Sequence, residues 1–266
     1  MLIFGEKINT VNKDVANALN KRDEMFFKNL VKMQLESGIV DVIDVNVGSD
    51  ITIEPDNMKW VLSCIENLIQ GKVTLSIDSS SPKTIIEGIE QLKNKKGAFI
   101  NSITLEEKRY KELLPLAKKY DLNIIALPVD NKGIPSNSDE RLEVAKKIVK
   151  IVESYDINLS RLYIDCLVQP IALSRVNAIE SLDTIKKIKN YLPSIKTFIC
   201  LTAISFGMPN RNLINRNFLS LLFREEIDSI ILNPLDDELI NNLFAIKLLL
   251  GKDENCLGYI KRMKGK

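Results

Sequence analysis

Acids, amides and hydroxyls recur along this 266-residue chain, each just after a short apolar run. The first run leads to Glu6, Lys7 and Asn9, the second to Asp44 and Asn46, the third to Asp78 and the fourth to Asn101. The fifth leads to Asp130 and Asn131, the sixth to Asp165, the seventh to Thr202, Ala203 and Ser205, and the eighth to Asn233. A carboxylate only accepts hydrogen bonds, whereas a carboxamide both donates and accepts. A set dominated by these two groups suits a ligand rich in N–H donors.

A pterin ring has that character. Its 2-amino group and N3–H ask for a carboxylate, and its carbonyl and ring nitrogens suit an amide. Phosphate is a poorer match, because no glycine nest or arginine cluster marks these positions. Any one Asp or Asn is as readily a turn or helix-cap residue. Asp44, Asp78 and Asp165 differ in that each directly follows an isoleucine inside its run (VID, SID, YID), which places them at the strand ends rather than out in loops. A carboxylate buried there must find donors, since unpaired burial costs about several kcal/mol.

The elements that would carry these residues follow from periodicity. The apolar runs start near Leu2, Val40, Val73, Ala98, Asn123, Leu162, Thr197 and Ser229. They are short, rich in β-branched residues and nearly continuous in hydrophobicity, as strands buried on both faces of a parallel sheet are. Helical segments lie between them. Leu142, Ala145, Ile148, Val149 and Val152 fall on one helical face. Ser81 before Pro82 is an N-cap with proline in the first turn. Thr104 with Glu107 reads as a capping box, and Asp236 opens a last amphipathic helix. Eight β–α repeats predict a (β/α)8 TIM barrel occupying 1–266 as a single domain, whose active-site mouth is at the strand C-termini. An open doubly wound sheet is the runner-up, and no GxGxxG or GxxxxGK[ST] supports it.

Composition narrows the chemistry. Apolar residues are 45% and charged residues 27%, with a net charge of +2, so there is no basic bulk for nucleic acid. Histidine is absent, which removes Ser–His and Cys–His nucleophiles and His-ligated zinc or haem. The four cysteines, Cys64, Cys166, Cys200 and Cys256, have no metal-knuckle or redox spacing and read as reduced thiols. No apolar run approaches the ~20 residues of a membrane span, and the charged MLIFGEKIN start reads as a strand rather than a signal peptide. The expectation is a cytoplasmic protein that binds neither nucleic acid nor membrane and holds no metal.

Seven segments resemble one family from end to end. GEKIN at 5–9 is similar to GERIN, DVNVG at 44–48 to DLNVG, SIDSS at 76–80 to an LDST segment, and INS at 100–102 to INS. KGIPSNSDERL at 132–142 is similar to TGIP-DSDTRL, LYID at 162–165 to LYID, and ISFGMPNRNLINRNFL at 204–219 is the most specific match. The family is that of the corrinoid-dependent methyltetrahydrofolate methyltransferases, whose pterin-binding TIM barrel is related to dihydropteroate synthase. The resemblance implies a homodimer of one-carbon metabolism that moves a methyl group between N5 of methyltetrahydrofolate and the cobalt of cobalamin on a separate corrinoid protein. It implies that Asp78, Asn101 and Asp165 hydrogen-bond the pterin, with Asn9, Asp44 and Asn46 on the same rim.

One position departs from the pattern. Where the family's strand-seven SNVS carries an Asn beside N5, this chain reads Thr202-Ala203-Ile204-Ser205. A methyl group neither donates nor accepts, and losing one such donor costs on the order of 10²–10³ in rate. Ala203 then marks an introduced change, a natural relative that works without that contact, or a pterin-holding or corrinoid-docking subunit with little turnover. A dihydropteroate synthase-like condensation is a further alternative, although strands seven and eight lack the Lys–Arg pair a pyrophosphate leaving group needs. Phe206 is placed to stack on the aminobenzoyl ring, and Arg211 or Arg216 to meet the glutamate tail or the partner's acidic surface. Loop packing and helix-surface exposure are the alternatives for these three. Trp60 reads as core or dimer packing, and the basic stretches 93–96 and 261–266 as solvated faces.

Overall fold

A computed structural model describes residues 1–264 other than 49 and 70, so 265 and 266 of the basic tail lie outside the described residues. Its eight strands are β1 (Leu2–Asn9), β2 (Val42–Asn46), β3 (Thr74–Asp78), β4 (Phe99–Ile103), β5 (Asn123–Ala126), β6 (Leu162–Asp165), β7 (Lys196–Cys200) and β8 (Ser229–Leu232). They pair in chain order, all parallel, and β8 closes on β1, which gives the expected (β/α)8 barrel. The helices around it are α1 (Lys13–Asn20) and α2 (Glu24–Glu36) after β1, then α3 (Glu54–Ile69), α4 (Pro82–Gln91), α5 (Glu107–Tyr120), α6 (Ser138–Ser154), α7 (Asn177–Tyr191), α8 (Arg211–Arg224), α9 (Asp237–Leu249) and α10 (Leu257–Lys264).

Strand alternation explains the near-continuous hydrophobicity. Every strand turns an isoleucine outward into the shell beneath the helices: Ile3, Ile43, Ile77, Ile100, Ile124, Ile164, Ile199 and Ile230. The opposite face fills the lumen with a separate cluster of Phe4, Val42, Phe99, Ile125, Tyr163, Phe198 and Ile231. Phe4 meets Phe99 and Phe198 edge-on at 4.9 and 5.1 Å between ring centroids, and Phe99 meets Tyr163 at 5.2 Å. Such pairs add about 0.5–1.5 kcal/mol each beyond the area they bury. These rings plug the barrel. Because side chains alternate with period two, the next inward residues above the plug are Glu6, Asp44, Asn101, Asp165, Cys200 and Asn233.

Three sequence expectations change. Asp44 is the third of the five residues of β2, one step deeper than a strand end, and Asn46 is the last. Asp130 and Asn131 lie beyond the end of β5 at Ala126, in a turn bridged by Asp130 and Gly133, and so do not join the rim. Thr104 does not cap α5. Its hydroxyl accepts the Glu106 N–H at 3.2 Å, a local turn that wins over the capping box, and Glu106 occupies the N-cap without a side-chain bond. The caps at Ser81 and Asp236 form as expected, accepting from the N–H groups of Thr84 and Leu239.

Trp60 joins α3 to α2, edge-on to Phe27 at 5.6 Å and under the Arg22 guanidinium at 4.9 Å. Lys93, Asn94 and Lys96 are exposed, whereas Arg262 of the tail is half-buried and clasps Asp237 and Asn241 of α9. All four cysteines are free; Cys64 and Cys166 are buried, Cys200 is half-buried and Cys256 is exposed. Among the described residues no helix is long and apolar enough to cross a membrane, and no group of three His, Cys, Asp or Glu is arranged to hold a metal.

Candidate active site at the barrel mouth

The mouth has two adjoining parts. The first is a carboxyl–amide set on β2, β3, β4 and β6. Asn46 Nδ2 donates to Asp78 Oδ2 at 2.8 Å, and Asn101 Nδ2 donates to Asp44 Oδ1 at 3.2 Å. Asp165 Oδ1 accepts the Leu167 N–H at 2.8 Å, which turns the chain just past β6. Sitting on the aromatic plug, these acids lose their water. Burial pushes Asp78 and Asp165 each up to about 6. Asp44 is raised well above its ordinary range, by burial first and by the neighbouring Asp78 charge second. Asn46 and the Arg109 charge oppose the rise at Asp78.

The second part is a cavity of about 610 Å³ over the ends of β1, β7 and β8. Glu6, Lys7 and Asn9 line it from β1, Cys200, Thr202, Ala203 and Phe206 from β7 and the turn beyond, and Arg211 from the start of α8. Asp44, Asn46, Asp78, Asn101 and Asp165 are not among its lining residues. Electrostatics joins the two halves. The Glu6 charge raises Asp44, and the Cys200 thiol, pushed up to about 12 mainly by burial, feels both Glu6 and Asp165.

Glu6 and Lys7 both reach the cavity because the β1–β2 register shifts between Gly5 and Ile8. An extra residue in a strand re-aims side chains in this way. The shift leaves the Lys7 N–H to Gln34 Oε1, at 3.4 Å, from a buried glutamine of α2. A Cβ at position 5 would stand 2.3 Å from that same oxygen, so a larger residue there would force the Gln34 side chain to move.

Ser205 is buried and works behind the wall. Its hydroxyl accepts from Arg211 Nε at 3.1 Å and donates to the Thr202 carbonyl at 3.3 Å, while Arg211 also donates to that carbonyl at 2.8 Å. Phe206 is 61% exposed at the cavity edge, with the Arg211 guanidinium 5.7 Å from its ring centroid. Arg216 turns away to pair with Asp236 and Glu238.

Two buried arginines have no counterpart in the strand-end reading. Arg109 of α5 donates to the carbonyls of Ser79, Ser80 and Ser102, tying the loop after β3 to β4. Arg141 of α6 donates to the carbonyls of Cys166 and Leu167 after β6. Arg109 carries no signal in a sequence that reads as a charged helix face. Arg141 lies in the 132–142 segment, whose sequence carries no sign of this role.

A family model described as pterin binding enzyme matches residues 8–230. The chain belongs to this family. Among pterin-binding enzymes it is 30% identical, over 99% of its length and 96% of the relative, to the methylcorrinoid:tetrahydrofolate methyltransferase of Eubacterium limosum. It is 26% identical over 88% of its length to the methionine synthase of Mycobacterium leprae, of which that match spans 20%. The fold is shared with the dihydropteroate synthase of Xanthomonas albilineans in complex with 7,8-dihydropteroate, at a TM-score of 0.66 and 13% identity, covering 94% of this chain and 92% of that one.

Proposed function

We propose that this chain is a methyltransferase that moves a methyl group between N5 of tetrahydrofolate and the cobalt of a corrinoid carried by a separate protein. The observation that carries the reading is the end-to-end identity to the Eubacterium limosum methyltransferase. The site chemistry agrees with it. Asp78 and Asp165 face the lumen as acceptors for the pterin's amino and N–H groups, and Asn101 supplies an amide. Asn46 and Asp44 position Asp78 and Asn101, and Asn9 borders the adjoining cavity beside Ala203. The pterin's apolar faces have the aromatic plug beneath them. The transfer is a displacement at the methyl carbon, so the protein's tasks are to orient N5 and to stabilise the charge that changes there.

Phe206 and Arg211, at the cavity edge, are placed for the aminobenzoyl-glutamate tail, with Ser205 holding Arg211. The same reading makes the chain a single pterin-binding domain in a cytoplasmic homodimer of one-carbon metabolism, with a corrinoid protein as partner and cobalamin on that partner. A second reading, a pterin-holding or corrinoid-docking subunit with little turnover, is favoured by Ala203. A dihydropteroate synthase-like condensation is the weaker alternative, since β7 and β8 lead to Cys200 and Asn233 rather than to cations. Titration calorimetry with tetrahydrofolate tests the binding half directly. Saturable one-to-one binding without added metal is expected, and no binding would overturn the pterin reading.

A further inference from the structure

Glu6 of β1 lines the same cavity as Ala203. The other carboxyl lining it, Asp236, caps α9 and pairs with Arg216. Strand alternation above Phe4 brings Glu6 there, and the register shift in β1 adds Lys7 beside it. Glu6 Oε2 accepts a hydrogen bond of 2.9 Å from the Thr202 hydroxyl, on the residue next to Ala203. Thr202 therefore fixes the carboxyl against the position where the family places an amide and this chain has only a methyl. A carboxyl can do there what an amide cannot: take up and return a proton.

We propose that Glu6 exchanges the N5 proton of the bound folate in this chain, with Thr202 as its positioning residue. The inference rests on the methyltransferase reading. In the direction that consumes a methylcorrinoid, the N5 lone pair bonds to the methyl carbon. The cobalt–carbon bond breaks with its electron pair left on cobalt, reducing Co(III) to Co(I). The N5 proton of tetrahydrofolate then passes to the Glu6 carboxylate, leaving neutral methyltetrahydrofolate. In the reverse direction the Glu6 carboxylic acid returns the proton to N5 and makes it a better leaving group.

The surroundings suit a group that carries both states. Burial raises Glu6 above the ordinary range of a glutamate, against the Thr202 hydrogen bond and the charges of Lys7 and Arg211. The charged and titratable groups facing it are Lys7 of its own strand, Asp44 of β2, Cys200 of β7 and Arg211 of α8. Cys200 stays a thiol near neutral pH, and Arg211 keeps its charge.

The test compares the unaltered protein with Glu6→Gln, Glu6→Asp and Thr202→Val. Tetrahydrofolate affinity is read by calorimetry and single-turnover transfer from methylcobalamin by its absorbance, across pH. Glu6→Gln should bind tetrahydrofolate within about threefold of the unaltered protein. It should transfer about 10²-fold more slowly and lose the limb of the pH–rate profile that the unaltered protein shows. Glu6→Asp should recover part of the rate, and Thr202→Val should lower it with the profile displaced. Transfer by Glu6→Gln at the unaltered rate and with the same profile would overturn the role of Glu6 while leaving the methyltransferase reading intact. Absence of both binding and transfer in the unaltered protein would overturn that reading, and the role of Glu6 with it.

Discussion

The Asn46 side-chain amide donates to Asp78 Oδ2 over 2.8 Å, so the last residue of β2 holds the last residue of β3. One carboxylate oxygen is thus oriented by the protein, while the group keeps further lone pairs for a ligand. Asp78→Ala removes that acceptor and leaves Asn46 without its partner. Tetrahydrofolate affinity should fall by about 1.5–3 kcal/mol, the worth of a charge-assisted hydrogen bond. Unchanged affinity by calorimetry would remove Asp78 from the binding set.

The same burial makes the ligand-free protein sensitive to pH. Asp78 and Asp165 rise from 3.8 to about 6 on folding. A raised acid stabilises the fold fully below the unfolded value near 3.8, and that contribution is lost as pH climbs through about 6. Asp228 is shifted down instead, and its contribution is lost only as pH falls below about 3.8. The melting temperature should therefore be higher near pH 5 than near pH 7.5, with each of the two acids contributing about 1–3 kcal/mol. Asp78→Asn should melt higher than the unaltered protein near pH 7.5 and show a flatter pH trend. A melting temperature that rises steadily from pH 5 to 7.5 would contradict this account of the site.

Much of this was legible in the sequence because strand alternation is local. Each outward isoleucine implied that the residue after it faces the lumen, and VID, SID and YID thereby announced Asp44, Asp78 and Asp165. What depends on a partner far along the chain was not legible. The extra residue in β1 that turns both Glu6 and Lys7 inward depends on Gln34 of α2. Arg109 and Arg141 are buried through hydrogen bonds to carbonyls of segments distant in the chain, which no local pattern reveals. Asp130 looked like a strand end because LPVD is apolar, but β5 stops at Ala126 and the turn to Gly133 carries the acid away.

Gly5 sits where an added methyl group meets the Gln34 side chain. Gly5→Ala would place a methyl group on Gln34 Oε1, the end of a buried side chain that would have to shift. The cost should be about 1–3 kcal/mol, as for other overpacked sites, read as a lowered denaturation midpoint at unchanged slope. Gln34→Ala in the same background should recover part of that loss, and no recovery would mean that the clash lies elsewhere.

Ala203 faces the cavity beside Thr202. Restoring the amide by Ala203→Asn should raise the single-turnover transfer rate while changing the tetrahydrofolate dissociation constant much less, because the contact matters most as charge changes at N5. A tenfold gain corresponds to about 1.4 kcal/mol of transition-state stabilisation. A rate unchanged or lowered would mean that this chain handles N5 through other contacts.

The most direct test of the methyltransferase reading is single-turnover transfer between this protein, tetrahydrofolate and a methylated corrinoid protein without added metal, followed by the cobalt absorbance and by the methyltetrahydrofolate formed. Loss of the methyl–Co(III) spectrum, with one methyltetrahydrofolate for each Co(I) that appears and no reaction when tetrahydrofolate is left out, is the predicted result. Tight binding of tetrahydrofolate with no transfer in either direction, to or from the corrinoid, would contradict it and leave the chain a pterin-holding subunit.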